Sequence, residues 1–338
     1  MVRKVTINDL AQAAGTSVTT VSQILNGKGD RFSADTRKRV LNLKVEMNYV
    51  PDFNARNLIM KSAQTIGVLV PNVGNPFFSE LIKGIQTIAR ENQFIPIIFS
   101  SNHDAELEKY YLEKLVERSV SGLIIASAAI TAEVIDEILN PNNIKYLLID
   151  ENTVEAGDTV QTDDYHGGQL AAQHLIDLHH KKIAMIISDS LTNNLRRRLQ
   201  GFEDVCIKND IDLKTDIVKI ASPMTKRGGY EAVTELVKHP EVTAVFTIND
   251  EMAVGVYRGL RERKIDIPND LSVIGYDGIE WGEYFSPKLT TIRQPIIELG
   301  KKSAEVLLNR VNNPKVKTQT VNLPVELVAR ESTTQNTK

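Results

Sequence analysis

The sequence predicts a small all-α head built on a helix-turn-helix, followed by a large α/β body made of two similar parallel-sheet halves. Three observations carry this. Near the N-terminus two short amphipathic runs flank Gly15. From Ile66 onward, seven short apolar runs alternate with stretches of helical length. The charge is also uneven: residues 1–61 hold ten Lys/Arg against five Asp/Glu, so they carry +5 in a chain of −3, and the rest carries −8. A basic head on an acidic body suits a head that meets a polyanion.

In the head, Thr6 is placed to cap a helix with Ile7, Leu10, Ala11 and Ala14 on one face. Gly15 supplies the positive φ that ends it, and Ser17 caps a second helix carrying Val18, Val21, Ile24 and Leu25. Asn26-Gly27 stops that one. A third helix, Ser33 to about Met47, offers Val40, Leu43 and Met47 to close a three-helix core. In such a unit the second helix enters the major groove. Val18, Thr19 and Gln23 then face base edges, while Ser17, Thr20 and Ser22 are placed to donate to phosphates. An ordinary helical hairpin with a solvated polar face fits these spacings equally well. Tyr49-Val50-Pro51 ends the head, because the residue before proline is driven out of helix. Asp52 to Leu58 is short and polar, and by itself it reads as a linker.

The body's runs are IGVLV (66–70), IPIIF (95–99), GLIIA (122–126), YLLID (146–150), IAMII (183–187), AVFTI (244–248) and LSVIGY (271–276). Continuous apolar strands signal parallel sheets buried on both faces. The pattern restarts near residue 162, which gives two halves with the C-terminal segment crossing between them. Ligands bind beyond the carboxyl ends of such strands. Asn75, Phe77, Phe78, Asp150, Asn249 with Asp250, and Asp277 follow strands, whereas Arg198 opens a helix. Phenylalanine faces suit the C–H surface of a sugar, and Asp, Asn and Arg suit its hydroxyls. Asp277 and Asn249 are equally suited to capping turns, and it is their shared location that points to a site.

Composition narrows the classes. With 42% hydrophobic and 25% charged residues the chain reads as globular, and 338 residues exceed one ordinary core. The single cysteine, Cys206, excludes an internal disulfide and fits a reducing compartment. No apolar stretch spans a bilayer and MVRKVTINDL is no secretion signal, so the expected location is cytoplasmic, with no membrane partner. No phosphate loop, dinucleotide loop, nucleophile elbow or metal-ligand spacing occurs. Asp163-Asp164 reads as a cap or site rim rather than an acid–base pair. The chain is expected to be no enzyme, with no cofactor and no metal.

The full string TINDLAQAAGTSVTTVSQILNG, SADTRKRVLNL, NYVPDFNARNLIMKSAQTIGVLVPN resembles the lactose-repressor (LacI/GalR) family in order and spacing. The likeness continues through NPFF (75–78), LID (148–150), RRRLQGF (196–202), FTINDEMAVG (246–255), VIGYDG (273–278), TTIRQP (290–295) and ARESTT (329–334). It implies a helix-turn-helix DNA-binding domain over 1–50 and a hinge helix over 51–63. A periplasmic-binding-protein-like effector and dimerisation domain follows over 64–335, with one subdomain at 64–161 and 291–322 and the other at 162–290 and 323–335. It implies DNA contacts from Thr6, Ser17, Val18, Thr19, Thr20, Ser22, Gln23 and Asn26. In the hinge, Leu58 wedges into a minor-groove base step beside Ala55, and Arg56 touches the backbone. Asn75, Phe77, Phe78, Asp150, Arg198, Asn249, Asp277 and Gln294 carry over as effector contacts, in a pattern close to ribose binders.

The implied protein is a homodimeric repressor of carbohydrate-utilisation genes on a near-palindromic operator, controlled by a small sugar. A co-repressor or phosphoprotein partner is the alternative, and a sugar-transport protein a distant one. Two positions depart from the family pattern. Glu151 stands where ribose binders often have arginine, which leaves a pentose or a hexose open. Gln23 stands where arginine is frequent; an arginine grips guanine, whereas a glutamine amide suits adenine. If the hinge works as implied, Leu58→Ala keeps the fold and effector affinity but loses much operator affinity in a gel-shift titration. Unchanged operator binding would sink the hinge assignment.

Overall fold

The computed structural model describes residues 5–51, 64–102, 104–127, 130–149 and 157–337. The chain forms two compact units, Met1–Ala63 and Gln64–Lys338. Ala55, Arg56, Leu58 and Asp150 lie outside the described residues.

The first unit holds α1 (Ile7–Ala13), α2 (Val18–Leu25) and α3 (Ala34–Glu46). Thr6, Ser17 and Ser33 cap them, each accepting a backbone N–H in the first turn. Gly15 and Gly27 take φ of +59° and +74° and end α1 and α2. Leu10, Ala11, Ala14, Val21, Ile24 and Val40 form the core, with Leu43 and Met47 against it. Tyr49 joins this core too, so the aromatic ring seals the head just before Pro51.

In the second unit the chain runs β1 (Thr65–Val70), α4 (Pro76–Glu91), β2 (Ile95–Ser100), α5 (Ala105–Glu117), β3 (Gly122–Ile125) and a short helix α6 (Ala132–Val134). It continues through β4 (Lys145–Ile149), β5 (Asp158–Thr162), α7 (Asp164–Asp177), β6 (Ile183–Ser188), α8 (Asn193–Lys208), β7 (Ile217–Ser222) and α9 (Lys226–Leu236). Next come β8 (Ala244–Thr247), α10 (Asp250–Glu262), β9 (Ser272–Asp277), β10 (Thr290–Arg293), α11 (Ile296–Asn312), β11 (Thr320–Leu323) and β12 (Glu326–Val328). One six-stranded sheet has the order β11-β5-β4-β3-β1-β2 and the other β12-β10-β9-β8-β6-β7. Among the described residues every pairing is parallel except that of β12 with β10.

The chain passes between sheets after Thr162, after Arg293 and after Leu323. This corrects the expected halves in detail. Thr162, expected in the second half, ends β5 of the first sheet, and so does Leu323 in β11. Residues 291–293, expected in the first half, form β10, because Thr290–Arg293 hydrogen-bond alongside Ile274–Asp277. The return crossing therefore falls at Gln294-Pro295. Arg198 also sits inside α8, which begins at Asn193, rather than at a helix start.

Glycine sets how closely the covering helices approach. A Cβ on Gly168 of α7 would lie 1.9 Å from the Arg198 carbonyl oxygen, and one on Gly201 of α8 would lie 1.9 Å from that of Tyr165. Backbone meets backbone there, so no side chain can swing aside. In an isolated helix Gly→Ala stabilises by about 1 kcal/mol, whereas overpacking costs about 1–3 kcal/mol. Gly201→Ala is therefore expected to lower the urea midpoint of the full chain. A raised midpoint would mean that α7 and α8 part freely.

Candidate functional site

In the head, the sequence-predicted DNA contacts fall into two groups. Thr6 and Asp9 form a reciprocal capping box. The Ser17 hydroxyl accepts the Thr20 N–H at 3.1 Å and pairs with the Thr20 hydroxyl at 2.9 Å. Asn26 donates to the Ser22 hydroxyl at 3.4 Å. These residues first shape the ends of α1 and α2. Val18 and Thr19 are exposed and Gln23 is half-buried, so this edge of α2 is open to a base pair.

In the second unit the polar candidates gather at the carboxyl ends of strands. Asn75, after β1, caps α4 by accepting the Phe77 N–H at 2.9 Å. Phe77 and Phe78 follow, edge to face with centroids 5.1 Å apart. Asn249, after β8, caps α10 by accepting the Met252 N–H at 2.9 Å. Asp277 ends β9 with φ of +120°, a strained position for a residue with a side chain. Gln294 follows β10. Its amide nitrogen donates to the Asp277 carboxylate at 2.8 Å, and its oxygen accepts the Thr162 hydroxyl at 2.7 Å. One side chain thus ties the end of β5 in the first sheet to the end of β9 in the second. Phe78 shares a core with Ile279 and Trp281, which brings the aromatic pair to the Asp277 loop.

Arg198 is buried to 2% exposure. Its Nε and Nη2 donate to Asp164 Oδ1 at 3.1 and 2.7 Å. Nη1 donates to the Ile248 carbonyl, and the guanidinium lies 3.3 Å over the Tyr276 ring. Burial alone would lower the arginine's pKa, but Asp164, Tyr276 and Asp277 outweigh it and raise it. Sequence reasoning placed Asp163 and Asp164 together as cap or rim. Asp163 does cap α7, accepting the His166 N–H at 3.1 Å. Asp164 is instead the buried counter-ion of Arg198, and a buried arginine's need for a carboxylate was the signal that could have found it.

Asp250, a candidate beside Asn249 because it follows β8, holds the Asp277 turn. One carboxylate oxygen accepts the N–H groups of Gly278 and Ile279 at 2.8 and 3.0 Å, and the other accepts the Thr291 hydroxyl at 2.8 Å. It therefore fixes the turn that carries Asp277. Burial pushes Asp250 up to about 7 despite these donors. Burial likewise raises Asp277, with Asp250 and Asp164 adding to the effect and Arg198 opposing it. Glu251 is raised by burial; Asn75 hydrogen-bonds it, and Lys226 Nζ lies 4.0 Å away. The Arg198 charge is met from inside the site, by the buried Asp164 with Asp277 beside it. The set offers acceptors, donors and two aromatic faces to a neutral polyhydroxyl compound. Among the described residues no cluster of side chains could hold a metal ion, and no helix is long and apolar enough to cross a membrane.

The fold and these sites define a helix-turn-helix regulator with a ligand-sensing body. Residues 6–52 match "Bacterial regulatory proteins, lacI family" and residues 172–333 match "Periplasmic binding protein-like domain". The chain is 35% identical to the HTH-type transcriptional regulator DegA of Bacillus subtilis over 98% of each chain. It is 34% identical to the ribose operon repressor of Haemophilus influenzae over 97% of this chain and 98% of that one. A LacI family regulator from Enterococcus faecium with bound ribose superposes with TM-score 0.76 at 39% identity, covering 80% of this chain and 99% of that chain. The Lac repressor dimer bound to operator and an anti-inducer gives TM-score 0.86 at 28% identity, over 98% and 100% of the two chains. The chain belongs to the LacI family of DNA-binding transcription regulators.

The raised pKa of Asp250 has a signed consequence. A carboxyl group raised on folding contributes stability that is full below its unfolded value near 4 and is lost as pH rises through about 7. Asp250→Asn keeps an oxygen for the Gly278 and Ile279 N–H groups and removes the titration. The melting temperature of the wild type, relative to this variant, is expected to fall between about pH 4 and 7 and to level off above. Parallel curves would show that Asp250 does not titrate there.

Proposed function

We propose that the protein is a homodimeric repressor of carbohydrate-utilisation genes that binds a near-palindromic operator and releases it when a small neutral pentose, of the ribose type, enters the cleft between its two sheets. The observation that carries this is the Gln294 bridge from Asp277 to Thr162 across both sheets, together with the buried Arg198–Asp164 pair and the Phe77–Phe78 pair. A sugar hydroxyl donates and accepts at once, so it can satisfy carboxylate and guanidinium together, and its C–H face packs on phenylalanine. The ribose bound in the Enterococcus faecium relative supports a pentose. Arg198 is already paired with Asp164, which weighs against sugar phosphates. Asn75, Phe77, Phe78, Asp150, Arg198, Asn249, Asp277 and Gln294 are the proposed contacts, and Ala55, Arg56 and Leu58 the proposed hinge contacts to DNA. One head reads one half-site, so a symmetric dimer supplies the second reader.

Calorimetric titration with D-ribose, other pentoses, hexoses, ribose 5-phosphate and purines tests the reading, followed by operator release with whichever binds. Ribose binding without binding of its phosphate is the expected result. A phosphate or a purine as the sole ligand would overturn the neutral-sugar reading. Asp277→Asn puts a donor where an acceptor is needed, and is expected to weaken sugar binding at least tenfold while operator binding persists. Retained sugar affinity would remove Asp277 from the site.

A further inference from the structure

Gln23 is an α2 residue that the family resemblance places at a base edge, and its neighbour changes how it can read DNA. The turn between α2 and α3 places Arg31 so that its Nη2 donates to the Gln23 side-chain oxygen. Arginine has donors only, so the atom that faces it is the amide oxygen and not the nitrogen. The bond is charge-assisted, hence stronger than one from a neutral donor. Arg31 is itself held, its guanidinium 5.0 Å from the centroid of the Phe32 ring, and Phe32 packs on the head core. The nearby acid of the same turn, Asp30, is engaged with Arg37 at 3.1 Å.

We infer that Arg31 is a positioning residue that orients the Gln23 amide, so that Gln23 meets the operator as a hydrogen-bond donor and selects guanine rather than adenine. This inference rests on Gln23 being a base-reading residue of α2. The two-bond match of glutamine to adenine needs a free oxygen to accept from N6 and a nitrogen to donate to N7. The bond to Arg31 uses one of the oxygen's two lone pairs and turns that side of the amide toward the cation, which leaves the –NH2 group on the opposite side. It suits an edge that only accepts, as guanine does through N7 and O6, and it is mismatched to cytosine, whose groove edge is a donor. The positive charge of Arg31 beside the amide acts in the same direction. Recognition at this position is divided between two residues: an amide on the helix and a guanidinium reaching it from the turn.

The test is selection of the full-length protein on a palindromic duplex library with randomised half-sites, followed by binding titrations of the enriched duplex carrying each base at every position. Gln23→Ala identifies the position that residue 23 reads, as the one where its preference collapses. At that position the wild type is expected to favour guanine by about fivefold or more, the lower end of what one good base contact gives. Arg31→Ala is expected to move the preference toward adenine at that position alone. Gln23→Glu, which keeps the bond to Arg31 but replaces the –NH2 group by an acceptor, is expected to move it to cytosine. A wild-type preference for adenine, or an Arg31→Ala protein that binds every sequence proportionately more weakly with unchanged preference, overturns the inference and leaves Arg31 a phosphate contact. If Gln23→Ala changes no base preference, the reading of Gln23 fails instead, and the two failures are distinguishable. Arg31 is exposed, so a folded variant is expected, and circular dichroism of each variant checks it.

Discussion

The buried positive charge of Arg198 constrains the ligand-sensing unit more than any other single group. A guanidinium removed from water is tolerated only where its donors and its charge are both met. The chain meets them with one residue from each of several elements: Asp164 at the start of α7, the Ile248 carbonyl after β8, and the ring of Tyr276 in β9. None of these can move far without stranding the charge. The closeness of α7 and α8, which only glycine at positions 168 and 201 permits, is part of the same requirement, since Arg198 reaches Asp164 across that contact. The second half is thereby a rigid wall whose polar edge is already oriented.

The link between the halves is of another kind. Gln294 sits at a chain crossing, and its two amide ends hold Thr162 and Asp277. Both bonds join neutral groups or a carboxylate whose proton affinity burial has raised, so each is weaker than the Arg198 set. A ligand that competes for Asp277 acts on the bond that sets the relation of the two sheets. Strong bonds inside one half and exchangeable bonds between halves are what a sensor requires: the ligand biases the link and leaves the walls intact.

Much of this was legible in the sequence, for identifiable reasons. The head was legible because caps, glycines and apolar spacing in residues 6–49 agree at every step. The central strands were legible because they are apolar throughout. The five strands that the apolar runs did not announce are polar or edge strands. β5 and β7 alternate buried and less buried residues, β10 buries threonines that hydropathy scores as surface, and β11 and β12 are short and exposed. The site residues that follow apolar strands could be named from position. Asp250 was among them, beside Asn249. The role of Asp164 could not be named, because it opens a helix directly after Asp163, whose side chain caps it. There the sequence offers two adjacent aspartates, and only packing decides which one turns inward.

The two recognition surfaces share one physical device. A glutamine amide offers a donor and an acceptor, and alone it is ambiguous. At Gln23 a guanidinium takes the oxygen and leaves the donor; at Gln294 a carboxylate takes the nitrogen and a hydroxyl the oxygen. In each case a charged neighbour decides how the neutral group is oriented. Specificity built this way changes when the neighbour changes, even though the residue in contact stays the same. If the two proposed readings hold, Arg31 in the head and Asp164 and Asp250 in the body are places where a substitution changes specificity without changing a contact residue.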